Sequence, residues 1–348
     1  MEQDAQTGFA AAKRRRGGSA PTIYDIAKLA GVNPSTVSRA LSRPGRINAK
    51  TEERIHTAAK ELNYRVNPIA RALPTGRTLT LGLLVADITN PVVFDIIRGA
   101  ERAAAEAGYT LVIAESPESG EREAAAVERV LPSVDGIILA TTHLSDTQIR
   151  DLAERKPFML INRELAGVTG VMPDVERGVR QLVAHLADLG HRSIAYLSGP
   201  EGSWISRRRW EALLDAAPGR GISVVEIGPG VPTLDGGTAS VSRVVASGVS
   251  AVVAFNDLMA IGLLRTATER GIRVPSELSV SGFDDTFGSD FTTPPLTTVR
   301  TPLVEAGERA VRQLLGRVTP RGSGSAEPDD SLLPTELVVR GSTGRVGE

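Results

Sequence analysis

"TIYDIAKLAGVNPSTVSRAL", residues 22–41, sets two short amphipathic stretches on either side of Gly31. In the first, Ile23, Ile26, Ala27 and Ala30 recur at i, i+3, i+4 and i+7, so they share one helical face. Gly31 allows a tight turn without a Cβ clash. Asn33 is a good N-cap, and Pro34 takes the first helical position, where a missing N–H does no harm. The second helix then runs to about Leu41, with Val37, Ala40 and Leu41 inward and Ser35, Thr36, Ser38 and Arg39 outward. Two helices this short cannot build a core alone. A third, starting after a second N-cap at Asn48 and running through "KTEERIHTAAKEL", supplies Ile55, Ala58, Ala59 and Leu62 to close it.

The outward row of the second helix is small, polar and free of acids. A helix carrying hydroxyls and one arginine suits the major groove, where Arg39 can pair bidentately with guanine O6 and N7. The plainer alternative is a hairpin that only packs or dimerises. Charge favours the groove. Residues 1–77 hold 14 lysines and arginines against 6 acids, about +8, while the remainder holds 26 against 35, about −9. A basic front on an acidic body points to a polyanionic partner.

The composition of residues 1–20 predicts a disordered basic tail. Residues 21–65 read as a helix-turn-helix headpiece, and 66–77 as a linker with one helical turn. From Thr78 the pattern changes. Apolar β-rich runs such as "LTLGLLVADI", "VDGIILAT", "PFMLIN", "RSIAYLSG" and "SAVVAFN" alternate with helical stretches, which implies parallel sheets joined by right-handed crossovers. The strands are too many for one small sheet. We therefore divide 78–342 into two α/β lobes, one about 78–165 plus 299–320 and the other about 166–290 plus 331–342. "TPRGSGSAEPDD" at 319–330 reads as a surface loop and "LLPTELVVRGST" as a final strand.

Several chemistries find no support. Without cysteine there is no disulfide, thiolate metal site or thiol nucleophile. His56, His143, His185 and His191 lack metal spacing. No glycine-rich phosphate loop and no nucleophile elbow is present, so we expect no enzyme, cofactor or metal. No apolar run reaches the length of a membrane span. "KRRR" at 13–16 is followed by Asp25 and Lys28 rather than an apolar segment, so a signal peptide is not expected and a cytoplasmic location is. Three polar sites stand at strand ends or helix starts, where a cleft between lobes takes its ligand: "SRRRW" with Arg209, "FNDLMAIG" with Asn256 and Asp257, and "SGFDD" with Asp284. Asp257 reads equally as a helix cap, and Asp285 as structural.

Residues 22–73, "TIYDIAKLAGVNPSTVSRALSRPGRINAKTEERIHTAAKELNYRVNPIARAL", resemble the headpiece of the LacI/GalR family of bacterial repressors, and the family's core pattern covers most of Leu79 to Ser342. The resemblance implies a type I periplasmic-binding-protein-like core of two lobes. It implies that Thr22 and Tyr24 touch phosphates or the groove rim, that Ser35, Thr36, Ser38 and Arg39 lie in the major groove, and that Asn48 holds phosphate. It further implies a hinge helix in "NPIARAL": Asn67 capping, Ala70 and Arg71 near the minor groove, and Leu73 as the wedge that kinks the duplex. Arg209, Asn256 and Asp284 would face the effector.

Some residues depart from the family pattern. Pro74 stands where many members carry a basic or polar residue, Val92-Val93 replaces an aromatic pair, and Pro232 replaces a stacking aromatic. These changes argue against a purine held between rings. Trp204 offers a stacking face, which a sugar or sugar phosphate would use together with polar groups, and Phe94, next to the valine pair, is a further candidate effector contact. The expected protein is therefore a homodimeric repressor reading a pseudo-palindromic double-stranded operator and released by a small effector. The absence of a heptad pattern after Val339 favours a dimer over a tetramer. A corepressor-dependent regulator is the first alternative. A solute-binding protein is the second, and it has no use for residues 20–73.

Overall fold

A computed structural model describes residues 21–42, 45–64, 77–116, 118–319 and 331–347. The expected tail, the hinge residues Asn67, Ala70, Arg71 and Leu73, and most of the 319–330 loop lie outside the described residues. The chain divides into two compact units, Met1–Gly76 and Arg77–Glu348.

The first unit is built from α1 (Ile23–Ala30), α2 (Pro34–Ser42) and α3 (Ala49–Glu61). Its core is Ile26, Ala27, Ala30, Val37, Ala40, Ile55 and Ala58, with Ile23, Leu41, Ala59 and Leu62 packed around them. Gly31 takes the left-handed φ of +64° that ends α1. The Arg54 guanidinium donates to the Ala30 carbonyl, tying α3 to the end of α1 and satisfying an orphan helix acceptor.

The second unit holds two sheets. The first is β1 (Thr80–Val85), β2 (Thr110–Glu115), β3 (Gly136–Ala140), β4 (Phe158–Ile161) and β5 (Gly170–Val171), parallel throughout in the order β2-β1-β3-β4-β5. Between them run α4 (Pro91–Glu106), α5 (Gly120–Val130) and α6 (Asp146–Arg155). The second sheet follows α7 (Val175–Asp188) and comprises β6 (Ser193–Leu197), β7 (Ser223–Ile227), β8 (Ala251–Ala254), β9 (Ser279–Asp284), β10 (Thr297–Arg300) and β11 (Glu336–Val338). Its order is β11-β10-β9-β8-β6-β7, with β11 antiparallel on the edge. Helices α8 (Trp204–Ala216), α9 (Leu234–Ser247) and α10 (Asp257–Glu269) connect these strands. The last helix, α11 (Leu303–Val318), returns to the first lobe and packs on α4.

Both sheets reach further than the expected lobes. Pairing of β5 with β4 carries the first lobe to Val171 rather than 165, and β10 carries the second to Arg300 rather than 290. The chain thus passes to the second lobe between Val171 and Val175 and back to the first between Arg300 and Leu303. The α4–α11 contact depends on Gly99 and Gly307. A Cβ on Gly99 would overlap the Val304 carbonyl, and one on Gly307 would overlap that of Ile96. Gly99→Ala is expected to cost the second unit about 1–3 kcal/mol, read as a lower urea midpoint at unchanged m. Among the described residues no helix is long and apolar enough to cross a membrane, and no cluster of three or more His, Asp or Glu could hold a metal ion.

Candidate nucleic-acid interface and effector site

On the first unit, Tyr24 stands 69% exposed on α1. Thr22 precedes the helix, and its N–H and hydroxyl both donate to the Asp25 carboxylate at 2.8 Å, fixing the entry of the chain. Along α2, Ser35 and Arg39 are exposed and Thr36 and Ser38 half-buried, while Val37 and Ala40 turn into the core. The Arg39 Nε donates to the Ser35 carbonyl at 3.3 Å, which lays the arginine along the outer face of the helix. Asn48 caps α3, its Oδ1 accepting the Lys50 N–H at 3.0 Å. A firm three-helix core thus presents one short polar row with no acid in it.

In the second unit, strained backbone marks the ends of parallel strands. Thr141 follows β3 with φ +56°, Asn162 follows β4 with +60°, and Asp284 and Asp285 close β9 with +99° and +52°. Left-handed conformations in such residues persist only where surrounding contacts impose them, and they gather at ligand sites. The carboxyl ends of parallel strands are also where open α/β sheets take ligands.

Arg209, on α8, is 3% exposed. It donates to the Phe255 carbonyl and, at 2.7 Å, to Asp284 Oδ1. Its guanidinium lies over two rings, 4.4 Å from the Phe283 centroid and 5.1 Å from that of Phe255. Its buried Nε has no hydrogen-bond partner among the described residues. Thr301 also donates to Asp284 Oδ1, at 3.3 Å, so both bonds fall on one oxygen of that carboxylate. A pocket of about 510 Å³ places this strand end at the lobe junction: Asp284, Asp285 and Arg300 line it from the second lobe, Asp95 and Arg102 from α4 of the first.

Asn256 caps α10, a helix of the second lobe. It is 2% exposed, its Oδ1 accepting the Met259 N–H at 2.9 Å while its Nδ2 donates to the Pro232 carbonyl at 3.0 Å. The cap is therefore Asn256 and not Asp257, which is the first helical residue and fully buried. Trp204 opens α8, half-buried against the second-lobe core, and Phe94 stands exposed on α4.

Sequence reasoning missed the polar ends of β3 and β4. Arg163 is buried, its Nη2 on Asp146 at 2.7 Å and its Nε without a hydrogen-bond partner among the described residues. His143 pairs through Nε2 with Glu118 at 3.0 Å, which raises its pKa, and its backbone N–H donates to Glu123 at 2.7 Å. Burial pushes the Glu123 carboxyl up. The signal was available: "INR" across the end of β4 repeats the design of "FND" after β8 and "FDD" across the end of β9, a polar pair closing a buried strand.

Comparison with known proteins gives a consistent answer. Residues 22–67 match the model of bacterial regulatory proteins of the lacI family, and 183–343 match a periplasmic binding protein-like domain. The chain is 33% identical over 332 residues to the HTH-type transcriptional regulator DegA of Bacillus subtilis, covering 92% of this chain and 98% of that one. It superposes on the lac repressor dimer bound to operator and the anti-inducer ONPF with a TM-score of 0.84, at 30% identity, covering 94% of this chain and 100% of that one. A complex of the transcriptional regulator CelR with cellobiose gives 0.67 at 31% identity, covering 92% and 99%.

Proposed function

Because this chain belongs to the lacI family of bacterial regulatory proteins, we propose that it is a cytoplasmic, homodimeric repressor, held on the nucleoid while bound to DNA and released by a neutral sugar. Its activity is regulation of transcription through DNA, not catalysis. A twofold dimer sets two α2 helices on half-sites about one helical turn, ~34–36 Å, apart, and so reads a pseudo-palindrome. Arg39 reads guanine, Ser35, Thr36 and Ser38 set its register, and Thr22, Tyr24 and Asn48 hold phosphates. Asn67, Ala70, Arg71 and Leu73 serve the central kink.

The observation that carries the DNA reading is the acid-free outer row of α2 on a rigid core. Its test is selection of sites from a random duplex pool near 0.15 M salt, repeated with Arg39→Ala. The wild type is expected to enrich a pseudo-palindrome. The variant is expected to lose about 1–3 kcal/mol at one base position per half-site. An equal loss over all sequences would reassign Arg39 to phosphate.

Charge balance supports a neutral effector over a sugar phosphate. Arg209 is matched by Asp284, Arg163 by Asp146 and His143 by Glu118. Such pairs offer donors and acceptors to hydroxyls without the surplus cation a phosphate needs. Val92 and Val93 are buried in the first-lobe core, which leaves no aromatic sandwich there for a purine. The complex of CelR with cellobiose is in keeping with this class. Release requires that the sugar bind the two lobe arrangements unequally.

A further inference from the structure

Three carboxylates crowd the end of β9. Asp284 has Arg209, and Asp285 has Arg300 and Arg340, each at 2.7 Å. The third, Asp257, is fully buried, and among the described residues its hydrogen bonds come from uncharged donors. Thr298 Oγ1 donates to its Oδ1 at 2.6 Å, and the Thr286 N–H and hydroxyl donate to its Oδ2 at 2.7 and 3.2 Å. Room for it comes from Gly282, where a Cβ would overlap Oδ1. Thr298 Oγ1 in turn accepts the Asp285 N–H at 3.3 Å. The two amides that follow Asp284 are therefore both tethered to Asp257, one directly and one through Thr298. These tethers grip the backbone where φ is +99° and +52°. A buried charge is kept without a counter-ion only if its hydrogen bonds hold it.

We propose that Asp257 is a positioning residue for the effector site: its ionised carboxylate holds the strained Asp284–Thr286 backbone and so keeps Asp284 on Arg209, without touching the effector. This rests on Arg209 and Asp284 being effector contacts. The ionised form accepts all three bonds, whereas a proton costs one of them and weakens the rest: on Oδ1 it reverses the Thr298 bond, and on Oδ2 it faces the Thr286 N–H. Charged groups near Asp257 are Asp284 and Asp285, each offset by its own arginine: Arg209 from α8, and Arg300 of β10 with Arg340. Burial, with lesser help from Asp284 and Asp285, pushes the Asp257 carboxyl up to about 7. The protonated fraction, and with it the weakly tethered fraction, falls about tenfold between pH 6 and 8.

The test is hydrogen exchange of the full-length chain, corrected for intrinsic rates, at pH 6, 7 and 8. In the wild type, protection of the Asp285 and Thr286 amides is expected to rise about tenfold over that range. In Asp257→Asn, whose neutral amide keeps one acceptor oxygen where the carboxylate has two, it is expected to be about tenfold lower at pH 8 and flat with pH, with the first sheet unchanged. Low protection of both amides in the wild type at pH 8, or a variant as protected as the wild type there, overturns the proposal. The wild-type profile needs no variant to fold. Titration with cellobiose and D-ribose tests the effector reading separately: no binding of either would count against the sugar assignment and leave the exchange result standing.

Discussion

Arg209→Ala is expected to destabilise the second unit by about 3–5 kcal/mol and to abolish its response to effector. The cost arises from what the arginine leaves behind. Asp284 would remain buried with only the Thr301 hydroxyl on its Oδ1, and the Phe255 carbonyl would lose its donor. Removing one partner of a buried ion pair strands the other charge, and that penalty exceeds the worth of the pair itself. Two ring faces, of Phe283 and Phe255, would also lose the cation packed on them. Urea unfolding of single and double variants checks this. Arg209→Ala with Asp284→Ala is expected to be more stable than Arg209→Ala alone, since no charge is then stranded. If the single variant lost under about 1 kcal/mol, water or a rearranged cation would have to reach Asp284, and the site would be more open than its burial implies.

The headpiece was legible because its logic is local. Ile26, Ala27 and Ala30, then Val37 and Ala40, then Ile55 and Ala58 recur at helical spacing within a few turns, and all are buried together. Asn48 was readable as a cap for the same reason. The second unit was legible wherever a strand was a buried apolar run. It failed at β5, which is two residues long, and at β10, whose "TTVR" is polar by composition. Thr297 and Thr298 are buried because partners more than 40 residues away satisfy their hydroxyls: Arg340 for one and Asp257 for the other. No periodicity encodes such a partner. Asn256 and Asp257 show the same limit. Both are good caps by residue type, and only the extended backbone at Asn256 decides which one caps. The Arg209–Asp284 pair spans 75 residues, so its members could be nominated singly from strand ends but not joined.

Ile55→Ala is expected to eliminate operator binding while leaving the second unit folded. Ile55 has no exposed surface, and it is among the largest side chains in a core otherwise made mainly of alanines. It lies on α3, whose packing against both α1 and α2 holds the reading helix in place. Truncating a buried isoleucine costs about 2–5 kcal/mol. A three-helix unit of this size, with no cysteine to cross-link it, has a total stability of only about 3–5 kcal/mol. The loss therefore consumes most of the margin, and the row from Ser35 to Arg39 ceases to be a row. Chymotrypsin digestion should reveal the difference, because Tyr24 and Tyr64 would become cleavable while the fragment from residue 77 onward resists. Gel shift should show specific binding lost and a weak, salt-sensitive association retained, since the lysines and arginines remain. Were Ile55→Ala instead to bind operator at wild-type strength, duplex contact alone would have to supply those 2–5 kcal/mol, and the headpiece would be a segment that folds on DNA rather than a preformed reader.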